Sequence, residues 1–375
     1  MQVRHTVHQN VGGAIGVATG AAGLVAMLVP PLVGRFSDQF HSRWGRRRPV
    51  IVLGGVATVA ALFALKSAHA YSTVLVSFVC LVGLLNMAGA AYVALIPDTV
   101  QAEESGRASG VWGAFFQAGS ALGLLGTFEF ARARMIGNAY YLLAAVLVVT
   151  LGASLLAMSG RDVTRPVSRT STSLREFLNP LWKGDFAWAF LTRLLTTAGF
   201  YSTLPFLLLL FGTLERVRRP VIFTLEFELV VTATAIPIAL FFGWLSDRHG
   251  RKRFVYGSGV LASFVLLTLL LTPRLGADLL LALGVVYGVS YGAFTAVDWA
   301  LALDTLPDRE NPAKDLGLFH VADALPRVFV PFLAGSLLDF FNSLGGDAGY
   351  RVILVLAGAF YVLGTLFVSR IRSVS

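Results

Sequence analysis

Long apolar runs, separated by short polar and basic stretches, occupy most of the chain. They lie at 11–33, 50–69, 73–96, 109–131, 139–159, 186–211, 221–245, 254–272, 278–303, 317–340 and 350–369. A helix needs roughly 20 residues to cross about 30 Å of hydrocarbon. Each run is therefore one crossing long, and the pattern predicts eleven transmembrane helices. The runs do not alternate with a period of two and are about twice too long for barrel strands, which excludes a transmembrane β-barrel. In two of them glycine recurs at every fourth position: Gly12, Gly16 and Gly20 in the first, Gly284, Gly288 and Gly292 in the ninth. Small residues at that spacing let a second backbone approach, so these helices are expected to lie close against neighbours. The expected fold class is all-α integral membrane.

Composition removes the other classes. Of 375 residues, 56% are hydrophobic and only 14% charged, against about 25% charged in a soluble protein. A soluble core cannot absorb that apolar surface, so disorder, a disulfide scaffold and an ordinary cytosolic enzyme are excluded. Cys80 is the only cysteine, leaving no in-chain disulfide and no multi-cysteine metal site. No cofactor or metal is expected. The net charge of +9 does not indicate nucleic acid, because the basic residues sit in short clusters between apolar runs, where they set membrane orientation. One set of alternate connections, including Arg35, Arg43, Arg107, 161–183, 248–253, Arg370 and Arg372, holds about 19 Lys and Arg residues; the other holds about 9. The rich side is read as cytoplasmic, which puts the C-terminus inside. Arg216, Arg218 and Arg219 on the outer side weaken the count without reversing it. The first ten residues lack a signal-peptide pattern.

The chain repeats itself. Gly34 and Asp38 followed by Arg46, Arg47 and Arg48 recur as Gly243 and Asp247 followed by Arg251, Lys252 and Arg253, at an offset of 209 positions; Pro97 and Asp98 recur as Pro307 and Asp308 at 210. Two landmarks at one offset indicate duplicated halves, the way many transporters are built. The division read from this is an N-terminal bundle over 1–160, a polar cytoplasmic linker over 161–185 and a C-terminal bundle over 186–375. Within the linker, 174–182 has the character of a surface-lying piece. The offset also places the counterpart of 186–211 upstream of Met1. The expectation is a parent architecture of six plus six helices that lacks its first helix here, through either a late start or a genuine eleven-helix form.

The doubled segment, with Gly34, Asp38, Arg43, Gly45, Arg46, Arg47 and Arg48 in one half and Gly243, Asp247, Arg248, Gly250 and Arg251 in the other, resembles the signature of the major facilitator superfamily. The longer first copy, from Asp38 through Ser42 and Trp44 to Pro49, is similar to that of the sugar–cation symporter branch, the glycoside–pentoside–hexuronide and sucrose–proton symporters. Gln39 departs from the basic residue usual there, whereas the second copy keeps Arg248. The resemblance implies a two-bundle transporter fold in the plasma (inner) membrane. It also implies that the doubled segments latch the cytoplasmic side shut. An Asp at a helix end beside fixed arginines suits that role, because charge-assisted hydrogen bonds can hold a neighbouring helix terminus.

Ionisable residues deep in the spans are costly and mark function. Asp298 shares a stripe with Tyr287, Tyr291 and Phe294, at i, i+4, i+7 and i+11. Aromatic faces suit sugar rings, and a buried carboxylate can carry a proton. Packing or lipid contact is the competing reading of such a stripe. By the resemblance, this helix lines the central cavity. Arg193, with Thr196, Thr197 and Tyr201 nearby, is read as a substrate contact, with pairing to a carboxylate on a neighbouring helix as the alternative. Asn86 is counted with the cavity residues. Asp323 and Arg327 are four apart and can neutralise each other; with Asp298 they are the coupling-ion candidates, a structural pair being the other reading. Pro326 between them loosens their helix. Glu226 and Glu228 lie near the outer end of their helix, and His320 is read as structural.

No phosphate-cradling loop and no zinc-helix motif is present, so ATP-driven transport within the chain is not expected, nor is enzymatic chemistry. The expected function is secondary active transport of a small solute, a sugar or glycoside, driven by a proton or sodium gradient. The partners are that solute, the coupling ion and membrane lipid. The alternatives are efflux of an amphipathic compound and a non-transporting assembly factor or receptor. The missing helix favours the last of these, and two intact latch segments oppose it.

Overall fold

Among the described residues, eleven long helices form where the apolar runs place them. They are α1 (Val11–Gln39), α2 (Arg48–Lys66), α3 (Tyr71–Val93), α4 (Ser105–Arg132), α5 (Gly137–Ala157), α6 (Gly184–Thr203), α7 (Pro220–His249), α8 (Lys252–Leu271), α9 (Ala277–Asp304), α10 (Pro312–Ser343) and α11 (Ala348–Val368). This computed structural model describes residues 3, 6–7, 9–39, 47–93, 95, 105–158, 178–182, 184–272, 274–307 and 312–372. No strand occurs among the described residues. Ten of these helices are long and apolar enough to cross a membrane. Helices satisfy every backbone group internally, which lipid demands. Large apolar side chains turn outward, Leu156 at 78% and Leu240 at 76% exposed, as a surface facing hydrocarbon requires.

Two helices outrun their apolar stretches. α1 continues to Gln39 and α7 to His249, so Gly34, Asp38, Gly243 and Asp247 lie in the last turns of helices rather than in the connections. Gly250 ends α7 at φ 85°, a backbone conformation that a residue without Cβ adopts at no steric cost.

The helices fall into two compact units. One comprises Met1–His8 with Ala21–Arg169, the other Gln9–Gly20 with Thr170–Ser375. In the first, α2 packs on α3 and α5, and α4 on α5; Val50, Ile51 and Ala91 are its buried centre. In the second, α9 lies along α7, α11 along α6 and α8, and α10 against α6 and α11. Two apolar clusters hold this unit together, one around Phe206, Phe211, Leu280 and Ile353 and one around Phe186, Val297, Phe319 and Ile371.

Both glycine stripes are contact surfaces. A Cβ at Gly288 would stand 2.7 Å from the Val231 carbonyl oxygen, and one at Gly292 2.5 Å from that of Ala235, so α9 touches the α7 backbone there. On α1, a Cβ at Gly16 would meet the Pro331 carbonyl oxygen of α10 at 2.4 Å. The same contact carries a cap. The Asp339 carboxylate of α10 accepts the Gly12 N–H at 2.9 Å and the Gly13 N–H at 2.5 Å, satisfying two of the four N–H groups left open at the start of α1. α6 loses regularity after Thr203, where Pro205 has no N–H to donate. A 3₁₀ turn, Leu204–Phe206, and a wider π turn, Leu210–Leu214, carry the chain on to α7.

Candidate functional site

Within the second unit, α6, α8, α9, α10 and α11 surround a cavity of about 280 Å³. The helical period of α9 delivers its predicted stripe to one wall, where Tyr287, Tyr291, Phe294 and Asp298 all line the space. Facing residues on α6 follow a similar spacing: Arg193, Thr196, Thr197, Phe200 and Tyr201. From α10 come His320, Asp323 and Arg327, spaced to share a face, and from α11 comes Tyr361.

Two ion pairs organise the polar part. Arg193 Nη1 lies 2.6 Å from Asp298 Oδ2, and both side chains are only 7% exposed. The Arg193 guanidinium also sits 4.7 Å from the centre of the Phe319 ring. Either charge alone would be strongly disfavoured at such burial, and each is tolerated because the other is there. Arg327 Nη2 lies 2.6 Å from Asp323 Oδ2, but here the arginine is 48% exposed and the aspartate 16%. Arg327 also faces the Tyr201 ring at 5.5 Å. α10 stays helical through Pro326 and Pro331.

The apolar part is aromatic. Phe200 and Tyr291 stack with centroids 5.1 Å apart and planes 15° apart, and Tyr201 meets the edge of Phe200 at 5.2 Å. The hydroxyls of Tyr287 and Tyr361 share a hydrogen bond of 2.7 Å. Ser290 Oγ donates to the Ser258 carbonyl at 2.7 Å, tying α9 to α8. Such a wall offers flat apolar faces, hydroxyl donors and acceptors, and two balanced ion pairs. That combination suits a small polar ring and the movement of a proton on or off a carboxylate. Among the described residues no three His, Cys, Asp or Glu side chains converge as a metal site.

Other candidates lie elsewhere. Asn86 is on α3 in the first unit, where its amide donates to the Val82 carbonyl one turn back at 2.9 Å. Glu226 and Glu228 are half-buried on α7 and do not line the cavity. In the first of the doubled segments, Arg43, Gly45 and Arg46 lie outside the described residues, as does the side chain of Asp38. Arg47 is buried, and Arg48 Nη2 donates to the Met158 carbonyl just past α5, where a helix end favours positive charge. In the second segment, Arg251 Nε meets Asp304 Oδ2 at 3.0 Å at the end of α9, Arg248 lies 4.2 Å from the Trp244 ring, and the Asp247 side chain is outside the described residues.

Sequence reasoning missed Phe200 and Tyr361. Phe200 was reachable, since it follows Arg193 by seven positions on the same helix face. Tyr361 carried no signal, because nothing along α11 separates it from the other aromatics until α6 and α11 are seen packed, with Gly199 against its ring.

Comparison with known proteins agrees with this architecture. The Major Facilitator Superfamily model matches residues 6–218 and 221–374. Among solved structures, the nucleoside transporter NupG superposes with a TM-score of 0.74 at 16% identity, and a point mutant of it at 0.72 and 14%. A bacterial homologue of the human lysosomal transporter Spinster, inward-facing and unoccupied, superposes at 0.71 and 14%. Each alignment covers 96% of this chain and 91% of the other. At these identities the likeness speaks for the fold. No curated protein sequence matches. The chain belongs to the major facilitator superfamily and is a membrane transporter, not an enzyme.

Proposed function

We propose that the chain is a proton-coupled secondary transporter that moves a sugar or glycoside by alternating access. The observation that carries this reading is the buried Arg193–Asp298 pair in the wall of an aromatic and hydroxyl-rich cavity. A proton fits the coupling role better than sodium, since the guanidinium already at 2.6 Å repels a metal cation from the same carboxylate. A proton on Asp298 simply releases the pair. A nucleoside is itself an N-glycoside, so the likeness to NupG supports the same substrate class. The doubled segments act as latches, with Arg251 on Asp304 as the second one's fastening. The excess of basic residues on one side supports a cytoplasmic C-terminus in the plasma (inner) membrane.

The test is uptake into proteoliposomes under an imposed pH or sodium gradient, with labelled sugars, glycosides and nucleosides. The wild type accumulates one of these classes under the pH gradient. Asp298→Asn loses accumulation and retains exchange across the membrane. Wild-type accumulation by Asp298→Asn removes the coupling assignment, and no uptake of any member under either gradient removes the glycoside reading.

A further inference from the structure

The two ion pairs of the cavity differ in what can reach them. Arg193 and Asp298 are each 7% exposed, whereas Arg327 is 48% and Asp323 16% exposed. All four side chains line the wall, and a solute in the cavity therefore meets the second pair as the more accessible of the two. We infer that Asp323 and Arg327 are the substrate's polar clasp, and that the clasp reads two adjacent hydroxyls on an uncharged ring. This rests on the transport reading above and narrows its substrate class.

A guanidinium presents five N–H donors in a fixed fork. Arg327 directs Nη2 to Asp323 Oδ2, and its half-exposed side chain on the cavity wall has further N–H donors to offer a solute. Asp323, when ionised, is an acceptor only. Side by side the two offer an acceptor for one hydroxyl proton and a donor for the neighbouring hydroxyl oxygen. The oxygens of a vicinal diol lie about as far apart as the atoms of a contact ion pair, so one diol spans both. The Tyr201 ring beside Arg327 and the stacked Phe200–Tyr291 pair supply flat surfaces for the ring that carries the diol.

Charge sets the second half of the inference. Both arginines in the cavity already hold a carboxylate at 2.6 Å, and the remaining ionisable groups on the wall are His320 and tyrosines. A carboxylated or phosphorylated substrate would either set a second negative charge beside Asp323 or displace it from Arg327 and leave an aspartate unpaired. The cavity therefore selects against anions.

The test is equilibrium binding to the purified full-length protein, with uridine against 2′-deoxyuridine, methyl glucoside against its 2-deoxy analogue, and glucuronate as the anion. In one of the two pairs the wild type prefers the diol by about 100-fold or more, because the deoxy analogue leaves the site's polar groups unpaired. It binds glucuronate at least tenfold more weakly than the preferred diol. Asp323→Asn and Arg327→Gln each bring the diol-to-deoxy ratio to within about tenfold of unity. The doubly neutral variant does the same and remains folded, because an i,i+4 pair this exposed contributes little stability. A ratio that survives in all three variants, or tight glucuronate binding by the wild type, overturns the clasp and leaves glycoside transport standing. Failure of the wild type to bind any of the probes overturns the glycoside reading and the clasp with it.

Discussion

The Arg193–Asp298 pair allows stability and coupling to be separated in one set of variants. Both partners are almost fully buried and in contact at 2.6 Å. Truncating one partner of such a pair leaves the other charge buried alone, at a cost of about 3–5 kcal/mol. Asp298→Asn retains one acceptor for the guanidinium, so its expected cost is lower, about 2–3 kcal/mol. Arg193→Gln leaves the carboxylate with a neutral partner and costs about 3 kcal/mol. The double variant holds two amides that can hydrogen-bond each other and bury no charge, and its cost falls to about 1–2 kcal/mol. The interaction energy is then about 4 kcal/mol, at or beyond the upper end for residues in contact. Unfolding in mixed micelles titrated with a denaturing detergent gives the four stabilities, and proteoliposomes give transport for the same four proteins. The double variant should be nearly as stable as the wild type, yet unable to accumulate substrate against its gradient. Additive single costs, with an interaction below about 0.5 kcal/mol, would refute the burial argument. Gradient-driven accumulation by the stable double variant would refute the coupling role.

Burial pushes the Glu215 carboxyl above its ordinary range, and the backbone N–H groups of Leu275 and Arg274 pull it only part of the way back. A carboxyl raised in this way contributes stability that is complete below the unfolded value and is lost as pH rises through the folded one. Glu215→Gln should flatten that decline in a pH series of unfolding midpoints, with the two proteins converging in acid. Asp339→Ala removes both side-chain acceptors at the start of α1 and should cost about 1–2 kcal/mol. Faster hydrogen exchange at the Gly12 and Gly13 amides, with α10 unaffected, would report it. Gly288→Val drives a branched side chain at the Val231 carbonyl and should cost about 1–3 kcal/mol. Gly257→Ala on α8, where nothing lies within 4 Å, should instead gain up to about 1 kcal/mol, and thermal unfolding of the two variants would show the opposite signs.

What the sequence made legible is whatever a single helix decides. The positions of the spans follow from run length, the α9 stripe from helical period, and the Asp323–Arg327 contact from four-residue spacing. The stripes at Gly12 and Gly284 announced close approach, though not the identity of the partner. That choice belongs to tertiary packing, which set α1 on α10 and α9 on α7. The pairing of Arg193 with Asp298 joins α6 to α9 across 105 positions, and sequence left it as one of two alternatives. Burial was out of reach as well. Arg193 read as a substrate contact and Arg327 as part of the coupling set; both line the cavity, but sequence could not say that Arg193 is the more deeply buried of the two. Asn86 counts with the cavity residues on sequence, and its amide's bond to the Val82 carbonyl of its own helix is a local contact that sequence did not supply.

Both halves repeat one Gly–Asp–Arg segment, and in each a described arginine reaches the end of another helix, Arg48 at Met158 beyond α5 and Arg251 at Asp304 on α9. The charged residues described on the wall of the cavity are Arg193, Asp298, Asp323 and Arg327, each within the second unit. A physical reason follows from the cost of charge in hydrocarbon. Each buried ionisable group needs a partner of opposite sign at contact distance, held by helices that do not part during the cycle. Placing both members of each pair in one bundle meets that requirement, because rearrangement between bundles then leaves every charge neutralised. Splitting a pair between bundles would expose two unpaired charges at each turnover. The proposed proton-coupled cycle therefore favours keeping the two members of each ion pair in one bundle, and the pairing within α6, α9 and α10 has that form.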